Sequence, residues 1–496
     1  MKYAHVPQAT SETLRQSTRA IARVHSQATD RGSSVSQGSS SEVSSPEKHA
    51  SNDAALNHPN TSRVIPTAVE ISFQRVLRES ATGIDRYDEY TSCDATLKGA
   101  EVGGDAKIAD LLTWSSNVRK SSRLLRFVKS TTPRVFLVGL LHQSCELMTH
   151  YVTEILKFVL IYGADTNFQN LFVSIYEGGS DDCTPSSLAA LKDFLDTLSV
   201  PNAIKIRQLE RPRGTARIDF LQMIRNAAME PLYLSDESYD VVVFLSDTFF
   251  CASDVVRLLR HTDASIKCGM DFDGVLNGMK FRDTWVAHDI SGRMFNKEFP
   301  YVHDKASANA LRHGEPFQVS CCWNGLTVLN ASLFNVYGAR FRRSLDDTEC
   351  HGAETELVCH DFAALGYPNV LVDPSVTVAY SKTEYVALSR SKQSVTSFIM
   401  HRTNIHSNLS AADVATVKSW TERPFQTECA PLDGHTGDHP DRSRVYQVNW
   451  RAHYKTKGVP VASDRRHVVL HSCLGPSARQ CKLSHGKRIF PNLGHV

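Results

Sequence analysis

The spacing of apolar residues changes character along this chain. Up to about residue 65 apolar positions are sparse, and the run "GSSVSQGSSSEVSSP" holds only two valines. Such a segment buries too little surface to offset the entropy of ordering it, so residues 1–65 are read as disordered. Residues 66–133 show weak helical spacing, in "TAVEISFQRVLRES" and "IADLLTWSSNVRKSSRLLRFV". The second stretch is basic and amphipathic, suited to packing on a neighbouring domain or to peripheral contact with a membrane surface.

From Arg134 the pattern alternates regularly. "RVFLVGLL" predicts a short buried strand, "CELMTHYVTEILKFVLIYG" an amphipathic core helix, and "LFVSIYE" a second strand. "TPSSLAALKDFLDTLSV" opens with Thr184-Pro185, a pair that starts helices well. "AIKIRQL" predicts a third strand, and "ARIDFLQMIRNAAMEPLYL" a helix stopping near Pro231. "YDVVVFLSDTFF" is a fourth strand ending in a polar turn, and "CASDVVRLLRH" starts another helix. Strands alternating with helices in this way predict an α/β domain with a mostly parallel, Rossmann-like sheet flanked by helices. Ligands of such sheets bind beyond the carboxyl ends of the strands, where Glu177 and Asp247 fall. After Asp273 the alternation weakens; "TWVAHDISGRMF", "FQVSCCWNGLTVLN" and "PNVLVDPSVTVAYS" predict an irregular second half. The domain is set at 134–392. Residues 393–496 are read as a C-terminal extension, partly irregular, ending in a solvated basic tail.

Composition narrows the picture only slightly. A formal net charge of +2 gives no global reason to expect nucleic acid as a partner. No stretch offers the ~18–20 apolar residues that span a bilayer. The twelve cysteines show no zinc-ligand spacing, and both buried free thiols and distant disulfides stay open; adjacent Cys321 and Cys322 are not expected to bond to each other.

The string "KCGMDFDGVL" raises two chemistries. Asp271-Phe272-Asp273 resembles the aspartyl nucleophile loop of haloacid-dehalogenase-type phosphatases, and also an acidic sugar-nucleotide site. The phosphatase requires this string on the first, strongly apolar strand of its domain. Here it follows four strand–helix units, and "SIKCGM" before it is a weak strand. A glycosyltransferase instead needs an acidic turn after a central strand, where a hard cation such as Mn²⁺ or Mg²⁺ neutralises the diphosphate leaving group. That position is held by Leu245-Ser246-Asp247, with one carboxylate where two are usual.

An ordered series of blocks then resembles a known family. "VSIYEGGSDD", "IDFLQMIRNAAMEPL", "VVFLSDTFFCASDVVRLL", "CGMDFD", "FRDTWVAHDISG" and "AETELVCHDFAALGYPNVLVDPSVTVAY" follow one another as in the fungal α-1,3-mannosyltransferase and capsule-associated family, glycosyltransferase family 69. Ser246 and Thr355 depart from that pattern, and "SWTERPFQTEC" is similar to its ending. The resemblance implies a GT-A-like fold and retaining transfer of mannose from GDP-mannose to a glycan acceptor. It also implies residence in the Golgi or secretory pathway, although no anchor is seen, which leaves a soluble cytoplasmic protein open. By the same resemblance, Glu177, Arg225, Asn226, Asp247, Asp271 and Asp273 would bind the donor. Asp247 would hold a divalent cation, Mn²⁺ first. Asp283, Trp285, Asp289, Trp323 and Asn324 would meet the acceptor, carboxylates taking hydroxyl hydrogens and indole faces packing on C–H groups. Glu354 and Asp361, close to two helical turns apart, would share a helix face and serve as catalytic carboxylates. A non-catalytic binding or assembly protein of the same fold is the alternative.

Overall fold

A computed structural model describes residues 133–390, apart from 164–165, 167, 208–210 and 274–278, together with 417, 419–433 and 439–456. The segment read as disordered, the weakly helical stretch up to residue 132 and the basic tail lie outside the described residues. The described residues all fall in one compact unit.

The predicted alternation forms the first half of one ten-stranded sheet. Strands β1 (Val135–Leu141), β2 (Leu171–Glu177), β3 (Asn202–Lys205) and β4 (Val241–Leu245) run parallel in the order β3-β2-β1-β4. Between them lie helices α1 (Cys145–Gly163), α2 (Thr184–Thr197) and α3 (Arg217–Leu234). The mostly parallel sheet flanked by helices is as expected.

The second half is less irregular than its pattern suggests, because it extends the same sheet. Next to β4 comes antiparallel β9 (Leu326–Asn330). Then follow β5 (Ile266–Asp273) and β10 (Val370–Ala379), parallel to each other, and antiparallel β8 (Phe317–Cys321). Two-residue strands β6 (Lys280–Phe281) and β7 (His288–Asp289) pair with β5 and β8. The segment that reads as a weak strand is the fully covered β5. Its Gly269 lets β10 approach so closely that a Cβ would lie 2.6 Å from Val376 Cγ1.

Two helices also differ from their pattern. Helix α1 is buried on nearly every side rather than amphipathic. Its polar interruptions are satisfied internally: Lys157 Nζ donates to Glu154 Oε1 at 2.7 Å, and the Ala252 amide donates to Glu154 Oε2 at 2.9 Å. Ala252 opens helix α4 (Ala252–Leu259), so Glu154 supplies an anion to a helix N-terminus. Helix α3 passes through Pro231 to Leu234. The missing Pro231 N–H would leave the Ala227 carbonyl orphaned, and Lys205 Nζ donates to it at 3.1 Å.

Every described cysteine is disulfide-bonded, which settles the open question against free thiols. The bonds are Cys145–Cys183, Cys268–Cys322, Cys321–Cys359 and Cys350–Cys429, with Cys251 bonded as well. Cys350–Cys429 ties the C-terminal hairpin, β11 (Gln426–Cys429) and β12 (Tyr446–Asn449), to the sheet domain around a small apolar cluster with Leu357, Val448 and Trp450. The hairpin crosses Gly292 so closely that a Cβ there would lie 2.1 Å from the Gln426 carbonyl oxygen. Removing this bond (Cys350→Ser with Cys429→Ser) is expected to lower stability by about 2–5 kcal/mol. Urea unfolding of the double variant checks this; an unchanged midpoint would mean that the hairpin is held by packing alone.

Candidate functional site

Parallel strands bring their carboxyl ends to one edge of the sheet, and the acidic turns meet there. Asp247 follows β4, Asp271 lies near the end of β5, and Tyr380 follows β10, which pairs Val378 with Asp271. Antiparallel β9 starts at the same edge, so Asn324 joins the group; the Ser246 amide donates to the Gly325 carbonyl at 2.8 Å. After β6 the chain turns through Arg282 and Asp283. The amides of Arg282 and Asp283 donate to the Asp271 carbonyl oxygen and to Asp271 Oδ1.

Asp247 is accessible to solvent, yet protein surrounds it closely enough that desolvation raises its carboxyl pKa against the pull of Arg282, Arg217 and Arg225. An accessible acid in such surroundings sits in a cleft. It makes no hydrogen bond or ion pair with another side chain among the described residues. Behind it, burial and the neighbouring Asp283 push the Asp271 carboxyl well up, and burial raises Asp283 too. Asp283 Oδ2 accepts from the Asn324 amide at 3.1 Å, and Asn324 Nδ2 donates to the Gly269 carbonyl at 2.7 Å. Asp271 Oδ2, Asn324 Oδ1 and Thr248 Oγ1 are buried with no hydrogen-bond partner among the described residues.

Arg225 projects from α3 into a box of Phe244, Trp323 and Phe341, with its guanidinium 5.1, 4.8 and 5.8 Å from the three ring centres. Its Nε donates to Glu354 Oε1 at 2.6 Å; Glu354 begins helix α5 (Glu354–Ala364) and its Oε2 has no partner among the described residues. The expected catalytic carboxylate is thus buried and ion-paired.

Several other expected residues have tasks elsewhere. Glu177 Oε1 and Oε2 accept from the Ser180 and Arg207 amides, both at 2.6 Å, so it caps a loop. The Asn226 amide group clasps the Phe341 backbone from both sides. Asp273 is half-buried at the end of β5 opposite Lys280. Asp289 is fully buried and accepts from the amides of Ser291, His303 and Asp304. Trp285 is part-buried and its indole N–H donates to the Ala430 carbonyl at 2.9 Å, while the face of buried Trp323 is taken by Arg225. Asp361 shares a helix with Glu354 but is forked by Arg342 at 2.7 and 2.9 Å, away from the cleft. Asp271, buried within the sheet, cannot be the exposed nucleophile of a phosphatase.

Sequence reasoning overlooked Arg282 and Tyr380. The strand-end rule, applied to "SVTVAY" as it was to the fourth strand, would have picked out Tyr380; Arg282 stands beside Asp283 in the "FRDTW" block.

The model of the family described as Cryptococcal mannosyltransferase 1 matches residues 134–361, which hold all these cleft residues except Tyr380. This segment is similar to that mannosyltransferase family. A curated relative, the alpha-1,3-mannosyltransferase CMT1 of Cryptococcus neoformans var. neoformans, is 31% identical over 244 residues, or 43% of this chain and 51% of the relative. The chain therefore spans about half the length of the curated relative it matches. Among solved structures, mannosyltransferase PcManGT from Pyrobaculum calidifontis, in complex with GDP-Man and Mn²⁺, is similar at 16% identity and TM-score 0.28, over 60% of this chain and 76% of that one. S. aureus TarS is similar at 11% identity and TM-score 0.28, over 56% and 41%. Both likenesses are too low to carry an argument. The hairpin after residue 417 lies beyond the mannosyltransferase segment, yet Arg442 Nη2 donates to the Thr284 carbonyl at 3.0 Å, next to Asp283.

Proposed function

We propose that this protein is a mannosyltransferase that moves mannose from a nucleotide sugar, GDP-mannose, to a hydroxyl of a glycan acceptor, making an α-1,3 linkage with retention. The likeness of residues 134–361 to the mannosyltransferase family and to the curated relative supports the activity. The observation that carries the placement is Asp247, an accessible carboxylate without a side-chain partner in a cleft at the end of the central strand β4.

Asp247 is the group suited to a divalent cation. Its free hard oxygens match Mn²⁺ or Mg²⁺, but among the described residues no three His, Cys, Asp or Glu side chains form a metal-binding group. A cation there would take most of its ligands from the donor's phosphates and water, the habit of Mg²⁺ in phosphate sites. When bound, it would neutralise charge on the leaving diphosphate. The chain's own residues do the rest. Arg225, fixed by Glu354 and three aromatic rings, sets a positive field beside Asp247 and Asp283. Asp271, Asn324 and Thr248 are fully buried polar residues at the same strand ends, so they shape the site from beneath and do not meet a ligand directly. Glu354 orients Arg225 and does not attack the sugar.

The cysteine pairing fits an oxidising compartment, which supports the secretory pathway. No helix among the described residues is long and apolar enough to cross a membrane. Full-length protein incubated with GDP-mannose, Mn²⁺ and a short α-mannoside is expected to release GDP in step with a longer glycan. Binding of GDP-mannose without turnover would favour the non-catalytic alternative.

A further inference from the structure

One cation of the cleft has no partner that accounts for it. Arg225 is tied to Glu354, whereas the exposed Arg282 makes no ion pair and its guanidinium no hydrogen bond among the described residues. Its guanidinium carbon lies 3.8 Å from the centre of the Tyr380 ring. Three acids feel its charge, Asp247, Asp271 and Asp283, yet none binds it. The inner two are occupied: Asp283 takes the amides of Asn324 and Val286, and Asp271 Oδ1 takes the Asp283 amide. A guanidinium resting on an aromatic face keeps its planar set of N–H donors free at the edge, and stacking limits the conformations it must give up on binding. Tyr380 is a firm support. It is enclosed by protein at the end of β10, against the tight turn at Gly325, where a Cβ would lie 3.4 Å from the Tyr380 hydroxyl.

We propose that Arg282, seated on Tyr380, binds the diphosphate of a nucleoside-diphosphate donor, its N–H groups donating to the phosphate oxygens beside Asp247. The proposal rests on the glycosyltransferase reading above and deepens it: a site with one accessible carboxylate also has a seated cation whose charge reaches that carboxylate. A diphosphate then meets charge from the protein with or without a metal ion. Arg282 precedes Asp283 directly, so the same turn that positions it also brings up the inner acid pair.

Calorimetric titration of GMP, GDP and GDP-mannose into wild type, Arg282→Gln and Arg282→Lys, each with EDTA and with Mn²⁺, tests this. Arg282→Gln is expected to bind GDP about 10- to 100-fold more weakly in both conditions, the scale of charge-assisted hydrogen bonds. GMP affinity should stay within about twofold if the second phosphate is the one Arg282 holds. Arg282→Lys should recover only part of the loss, because a point charge replaces a fork. Equal weakening of GMP and GDP, or unchanged GDP affinity, overturns the proposal. Should wild type bind GDP with this pattern yet ignore the mannosyl group, the Arg282 assignment stands and only the donor-sugar reading falls. A wild type that binds no GDP overturns both. Arg282 is exposed, so an unchanged melting temperature is expected of its variants.

Discussion

Asp247→Asn is expected to lower mannosyl transfer at least about 10²-fold, the scale of losing one preorganised charge-stabilising group, while the fold is retained. The direction of the stability change distinguishes this residue from a structural acid. Desolvation raises the Asp247 carboxyl pKa, so the folded protein disfavours its charged form near neutrality. The neutral amide removes that cost, and the melting temperature should stay level or rise as activity falls. This opposition is the signature of a site that trades stability for chemistry. Paired measurements of transfer rate and thermal midpoint decide it. Retained transfer would place the donor site elsewhere, and a lowered midpoint would make Asp247 part of the scaffold.

Arg342→Met should do the reverse. The Arg342 guanidinium bridges two buried carboxylates: Glu349, at 2.7 and 2.8 Å, and Asp361, at 2.7 and 2.9 Å. Burial alone would raise Glu349, but the hydrogen bonds and charge of Arg342 outweigh it and hold that carboxyl below its ordinary value. Asp361 is enclosed more deeply, and burial keeps it above its ordinary value despite the same fork. Removing the cation strands both acids, which is expected to cost about 3–5 kcal/mol in denaturant unfolding. The triple variant with Glu349→Gln and Asp361→Asn should recover much of that, because no uncompensated charge remains. Asp361→Asn alone separates the two roles considered for that residue. Loss of stability with near-normal transfer in the folded fraction fits the ion pair; normal stability with no transfer would return Asp361 to the reacting centre.

Local periodicity carried the parallel half of the fold. β1, β2 and β4 are each a short, largely apolar run closed by a polar turn, and each helix repeats its apolar residues every three to four positions, so neighbouring residues hold the signal. Beyond Asp273 the strands pair across long separations, such as β5 with β10 and β4 with β9, and "SIKCGM" becomes a buried strand because of what lies on either side. The disulfides are the same case: separations of 38 to 79 residues leave no trace in spacing.

For the site, sequence alone determined the family blocks and the strand-end position of Asp247, since a turn after an apolar run is a local feature. Which polar residues face the cleft was decided only by tertiary structure. Asp289, Glu177 and Asn226 have the composition of a sugar site, yet backbone amides and carbonyls from distant segments claim their hydrogen bonds. Arg282 looks like an ordinary charged residue, and three-dimensional packing leaves it on Tyr380 with its donors free. A residue type states what it can bind; only its neighbours in space determine whether that capacity is already spent.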